Sequence, residues 1–369
     1  MTKISICIPI EDLSSDPARL VTALLNNPDA DIEIILAGET PAISAMDARQ
    51  NLPDDARLVR ATFDTPLARQ RLWRRAVEAA TGDWVTLINP SDMIESEIET
   101  VAAYIEQSSP ETDAIAWTVF QIASDAEPET AGSIAIPASY HINLMDKTKM
   151  LTAFFHWEGS LDAPKMPFGL FHGLIRRSLA DAILQVPENT NWSTPVPQYE
   201  WAAKVLLFSE QLTFCARPLS AAEARPYTPD PAAGPQFEFP FHAGIGLTAA
   251  IAEAQAHVLG ELGSPWNGGN EAFVRACMID CMRERTEAGF EAKGNAYFAA
   301  LRAFDGGRLA GGFRPGFAGA QKADRRRGLY GEALLVDRFI GGARTPQDFF
   351  AVMGGMIAPI GLICGGVTR

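Results

Sequence analysis

The chain has 369 residues, 47% of them hydrophobic and 21% charged, which excludes a disordered protein and leaves room for two ordinary domains. A formal net charge of −14 excludes nucleic acid as a general partner of the surface. The charge is uneven: residues 1–240 carry 17 Lys and Arg against 33 Asp and Glu, while 241–369 are near balance at 14 against 12. Five cysteines give no disulfide framework, and Cys277 and Cys281, four apart, read as core thiols on one helix face. Met-Thr-Lys leads directly into a strand with no secretory signal, so a cytoplasmic setting is expected.

Ile4–Ile10 (ISICIPI) is an apolar, β-branched run, the pattern of a buried parallel strand. Pro17–Asn26 places Leu20, Val21, Leu24 and Leu25 at helical spacing, with Asp16 as N-cap. Ile32–Ala37 predicts a second buried strand and Arg57–Ala61 a third. Thr65-Pro66 predicts the start of a helix that Gly82 closes. Trp84–Ile88 is then a fourth strand, running into a polar turn with Asn89, Ser91 and Asp92. Ser96–Gln107 reads as helix and Ala114–Ile122 as strand. Strands alternating with helices predict an α/β fold, a mostly parallel sheet flanked by helices. In such a sheet a polar cluster at a strand's carboxyl end is where ligand groups are placed.

From about 130 to 195 the chain is loop-rich and aromatic, and Leu174–Leu184 and Glu200–Phe208 read as helices. Ala224–Pro240 holds five prolines and marks a boundary. The expected organisation is a domain at 1–225, a linker at 226–240 and a C-terminal helical accessory region at 241–369. Within the last, Ile245–Leu262, Glu271–Gly289, Asn295–Phe304 and Gly328–Ile340 predict helices, and the glycine-rich Asp305–Ala320 a loop. Phe349–Thr368 then runs without a charge. Three readings of it stay open: a bilayer crossing, which its length allows, a buried or surface-docked helix, and a peripheral membrane contact.

Six segments carry a further pattern. The first strand ends at Pro9, followed by Glu11 and Asp12; the second, EIILAGET, ends at Gly38 and Glu39; Ala68-Arg69-Gln70 opens a helix; Asn89-Pro90-Ser91-Asp92 follows a Gly–strand unit; GLIRRSLADAIL spans Gly173–Leu184; and QYEWAAKVLLFSEQLTFCARPL spans Gln198–Leu219. Over roughly residues 1–225 this order resembles a family 2 glycosyltransferase, the inverting GT-A type. That family carries an acidic pair at the second strand end, Ala-Arg-Asn on the helix, DxDD on the turn, and a later acidic pair before an aromatic-rich helix.

The resemblance implies transfer of a sugar from a nucleotide-sugar donor to a hydroxyl of a glycan or lipid-linked acceptor, as in polysaccharide biosynthesis. It implies that Pro9, Glu11, Glu39 and Arg69 hold the nucleotide, Arg69 through its planar donor fork. It implies that Asn89, Ser91 and Asp92 address the diphosphate together with Mg²⁺ or Mn²⁺. Such ions want hard oxygen ligands and usually one or two carboxylates, whereas only Asp92 of this turn keeps a charge. A metal site and a capped turn both fit. Glu200, with Tyr199 before it and Trp201 after it, occupies the place of the general base. Phe154-Phe155-His156-Trp157 and Trp192 fit either an aromatic acceptor platform or core. Two rivals accompany the transferase reading. One is a non-catalytic carbohydrate- or nucleotide-binding relative. The other is a metal-independent transferase in which arginines such as Arg177 or those of 308–327 neutralise the diphosphate.

Overall fold

The computed structural model describes residues 2–12, 14–50, 52–129, 131–165, 168–186, 194–225, 227–229, 234, 238–319 and 323–365. The first third alternates strands and helices: β1 (Ile4–Ile10), α1 (Ala18–Leu25), β2 (Ile32–Glu39), α2 (Thr40–Gln50), β3 (Leu58–Phe63), α3 (Arg69–Glu78), β4 (Trp84–Leu87), β5 (Met93–Ile94) and α4 (Ile98–Ser108). Then come β6 (Thr112–Ile122), β7 (Ser133–Pro137), β8 (Ile142–Met145), α5 (Lys147–Phe155), β9 (Gly173–Arg176), α6 (Arg177–Leu184), α7 (Pro197–Phe208) and β10 (Gln211–Glu223). The last third holds α8 (Leu247–Glu261), α9 (Glu271–Met282), α10 (Glu287–Ala303), β11 (Gly328–Tyr330), β12 (Ala333–Asp337), α11 (Pro346–Gly354) and α12 (Ile360–Ile363).

Among the described residues the main sheet has nine strands in the order β3-β2-β1-β4-β9-β6-β10-β5, with β8 also on β10. β1, β2, β3 and β4 pair in parallel, as do β6 and β10. β9, β5 and β8 run antiparallel to their neighbours. The α/β expectation holds: a mostly parallel sheet flanked by helices. Every residue of β1 is buried, which explains its mostly apolar run, and the one polar side chain, Ser5, is hydrogen-bonded to Glu33. Its alternation feeds two layers, Ile4, Ile6, Ile8 and Ile10 packing with α1 and α4, and Cys7 with α3 and α7. Gly82, ahead of β4, has no room for a side chain: a Cβ there would lie 2.8 Å from the Lys3 carbonyl oxygen and 2.8 Å from Ser5 Oγ.

Several local expectations change. Helix α3 starts at Arg69 with Ala68 as N-cap, because residues 64–68 first carry the chain from β3 across the sheet edge. Gly173–Arg176 is a strand, wedged antiparallel between β4 and β6. Gly328–Ile340 contains a hairpin in place of a helix, with Gly331 at φ +57° in its turn, and β12 pairs with β7 as a three-stranded sheet.

Two cores divide the C-terminal third. Residues 241–313 form a helical unit with its own core, around Phe241, Phe273, Tyr297 and Leu301. Beyond it the chain returns to the first core, where Val336, Phe349, Met353, Ile360 and Cys364 join residues of β1, α1 and α4. Phe349 meets Phe120 of β6 edge-on at 5.2 Å. Much of the uncharged run is therefore spent on completing the first core. No described helix is long and apolar enough to cross a membrane.

Candidate functional site

The chain steps outward from β1 to β2 to β3 and resumes as β4 on the other flank of β1, so the strand order reverses between β1 and β4. Open α/β sheets bind ligands at such a point, outside the carboxyl ends of the strands. A cleft of about 2080 Å³ lies there. Pro9 and Glu11 line it from β1, Asn89, Pro90 and Ser91 from the turn after β4, Trp117 and Gln121 from β6, and Glu223 from β10. Ala243, Leu247, Met282, Arg283 and Arg285 of the helical unit line it as well.

Beneath the turn after β4, a buried polar chain ties three strands together. Asp92 is fully buried. Its Oδ2 accepts from the Asn89 amide (3.3 Å) and pairs with His172 Nε2 (3.0 Å), while its Oδ1 accepts from the Glu223 amide (2.8 Å). His172 Nδ1 lies 2.8 Å from Ser220 Oγ, which accepts from Trp117 Nε1 at 2.7 Å. His172 lines the cleft and holds φ +53°, unusual for a side-chain-bearing residue. From the far end of the chain, Gln347 Nε2 of α11 donates to the carbonyls of Pro90 and Asp92, each at 3.3 Å.

This arrangement does not suit a metal at Asn89, Ser91 and Asp92. Asn89 and Ser91 face the cleft but are neutral, and both carboxylate oxygens of Asp92 are consumed by protein donors below it. Among the described residues no group of three or more His, Cys, Asp or Glu is placed to hold a metal ion.

Arg69 and Glu11 do come together, as an ion pair at 2.7 Å on the cleft wall. Arg283 pairs with Asp162 at 2.5 Å. Arg225 and Arg285 line the cleft without an ion pair among the described residues. Arg176 and Arg177 lie at the opposite sheet edge, Arg176 over the Trp84 ring at 4.6 Å and Arg177 donating to the carbonyls of Val77 and Ala80. Neither lines the cleft. Arg326 and Arg327 are occupied by Asp324 and Asp337.

Glu200 is 1% exposed and does not line the cleft, although its neighbours Gln198 and Tyr199 do. Its Oε1 accepts from Lys204 Nζ (2.7 Å) and Gln70 Nε2 (3.1 Å). Lys204 also faces Glu261 of α8 at 3.5 Å, so Glu200 belongs to the junction between α7 and α8, off the cleft lining. Burial pushes the Tyr199 hydroxyl well above the usual tyrosine range. Glu39, half-buried at the end of β2, is not on the cleft lining, but the Gly38 before it pairs with Ile10 beside Glu11. Phe154, Phe155 and Trp157 are buried and serve as core, and Trp192 lies outside the described residues. Cys277 and Cys281 are buried as expected.

The carboxylates that do face the cleft differ in their surroundings. Hydrogen bonds from Ser14 hold Asp12 below the usual carboxylate range. Glu11 is taken by Arg69. Glu223 makes no ion pair among the described residues, and the Ser124 amide (2.7 Å) and hydroxyl orient its side chain. Sequence reasoning passed over His172, Glu223 and the arginines of the helical unit. Asp92 and His172 are 80 positions apart, and His172 and Ser220 are 48 apart, so no spacing announces the group.

The sequence matches no protein-family model and none of the curated proteins. Among solved structures the chain is similar to S. aureus TarS 1–349, with 14% identity and a TM-score of 0.46 over 83% of this chain and 81% of that one. The same protein in complex with UDP-GlcNAc gives 13% identity and a TM-score of 0.47 over 82% and 81%. In complex with UDP it gives 12% and 0.44 over 84% and 90%.

Proposed function

We propose that the chain transfers a sugar from a nucleotide-sugar donor to a hydroxyl of a glycan or lipid-linked acceptor, and that it does so without a divalent cation. The observation that carries this reading is the cleft at the strand-order reversal, with Pro9, Glu11, Arg69, Asn89 and Ser91 along the sheet and Arg283 and Arg285 across from them. The nucleobase is assigned to the end of the cleft near Glu39 and Glu11, and the diphosphate to the turn after β4.

In a single displacement the acceptor oxygen attacks the anomeric carbon as the bond to the diphosphate oxygen breaks. The nucleoside diphosphate leaves with the electron pair, and a carboxylate takes the hydroxyl proton. Fixed donors aimed at the leaving oxygens lower that barrier. Arg69, Arg225 and Arg285 are the cations suited to this by their position on the lining. Glu223 is assigned the proton, as a cleft carboxylate that Ser124 orients.

A second reading, a binding protein without turnover, draws support from the closure of Glu200 by Lys204. Calorimetric titration with UDP, GDP, CDP and ADP and their sugar conjugates, in EDTA and in Mn²⁺, together with an assay of donor hydrolysis, separates the readings. Binding of one nucleotide that EDTA leaves intact, with slow hydrolysis, is the expected outcome. Binding that requires Mn²⁺ overturns the metal-free mechanism. Binding with neither hydrolysis nor transfer favours the second reading, and absence of binding removes both.

A further inference from the structure

We propose that His172 is a positioning residue that compensates the Asp92 carboxylate from within the fold, the task the sequence resemblance gives to a metal ion, and so keeps that charge from repelling a diphosphate. This rests on the nucleotide-sugar reading of the cleft.

Asp92 is the one carboxylate of its turn, and it lies directly under the residues that face the cleft. Left bare, a buried carboxylate behind a phosphate subsite would oppose the ligand, since charges interact strongly where water is excluded. Three N–H donors converge on it instead, from His172 Nε2 (3.0 Å), the Asn89 amide (3.3 Å) and the Glu223 amide (2.8 Å). Its partners fix the imidazole's proton. Trp117 Nε1 can only donate, so Ser220 Oγ accepts from it, and His172 Nδ1 meets the same oxygen. The Asp92 carboxylate can only accept, so a ring proton sits on Nε2, pointed at it.

A nucleophilic role for Ser220 is excluded by its full burial and by the Trp117 donor on its oxygen. The backbone at His172 supports a requirement for this side chain at this place. Its φ of +53° suits glycine or asparagine better, and such strain persists where surrounding structure demands it. The same bonds lock Asn89, Trp117, His172 and Glu223, all on the cleft lining, into one preformed surface.

The test measures the affinity of the full-length protein for the nucleoside diphosphate that the wild type binds best among UDP, GDP, CDP and ADP, in EDTA. His172→Gly relaxes the backbone and removes the imidazole, and is expected to weaken binding about tenfold, the size of one lost charge-assisted hydrogen bond. Adding Asp92→Asn to it removes the uncompensated charge and recovers most of that loss. His172→Gln, whose amide can still reach Asp92, loses about threefold or less on the same scale. If His172→Gly does not fold, as judged by thermal melting, His172→Leu against His172→Gln makes the same comparison: the amide retains affinity and the isobutyl group loses it. Wild-type affinity in His172→Gly, or a loss that Asp92→Asn does not reverse, overturns the proposal while leaving the nucleotide reading intact. A wild type that binds none of the four nucleotides removes the nucleotide reading, and this proposal with it.

Discussion

Two glutamates, Glu200 on α7 and Glu223 at the end of β10, differ in what surrounds them, and that decides what each can do. Glu200 is closed off by Lys204 and Gln70, whereas Glu223 stands on the cleft with its carboxylate oriented by Ser124. Glu223→Gln is therefore expected to lower kcat for sugar transfer by about 100-fold, the usual yield of a positioned base, with the donor KM little changed; initial rates across donor concentration measure both. A third glutamate, Glu33 on β2, contributes to acid stability. Burial pushes its pKa up, but hydrogen bonds from Lys3 (2.7 Å), Ser5 (2.5 Å) and Thr81 (2.6 Å) more than offset this and bring it from 4.5 to about 2. The folded state thus binds this proton more weakly than the unfolded chain does. Its contribution is full above about pH 4.3 and is lost as pH falls towards 2. Urea midpoints followed from pH 6 to pH 3 should fall for the wild type, and fall less steeply in Glu33→Gln.

At the scale of elements, the junction of α7 with α8 depends on one cation. Lys204 on α7 faces Glu200 at 2.7 Å and Glu261 of α8 at 3.5 Å, and His257 lies 3.3 Å from Glu261. All four are at least nine-tenths buried at the side chain. Lys204→Met leaves two carboxylates buried without it and is expected to cost about 3 kcal/mol, since breaking a buried pair strands its partner. Equilibrium urea denaturation measures this, and Lys204→Met with Glu200→Gln should recover part of it. Helix α11 is held differently. Thr345 and Asp348 form a reciprocal cap at its start, which delivers Gln347 to the turn after β4.

For the whole molecule, legibility in the sequence follows how local the determining interactions are. Strands β1, β2 and β4 are readable because burial on both faces demands mostly apolar runs, here with Ser5, Glu33 and Thr86 as the buried polar exceptions. Helix α2 has no such signal: its apolar positions are weakly grouped, and only Ala42, Ile43 and Met46 are buried. The hairpin β11–β12 was mistaken for a helix because its strands are short and its partner, β7, lies nearly 200 residues earlier. The five prolines at Ala224–Pro240 suggested a clean boundary, yet the chain beyond residue 323 packs into the first core. The cleft's position was legible through Pro9, Glu11, Arg69, Asn89 and Ser91. Its electrostatics were not, because Asp92 meets His172 and Glu223 only through the folded sheet.

The return of α11 also sets an order in time. During synthesis the residues of the turn after β4 emerge more than 250 positions before Gln347. Until that residue has left the ribosome, the carbonyls of Pro90 and Asp92 lack its amide, and Phe120 lacks Phe349. The cleft-facing turn is thus among the first parts made and among the last to be secured, so a partly synthesised chain carries an unfinished cleft.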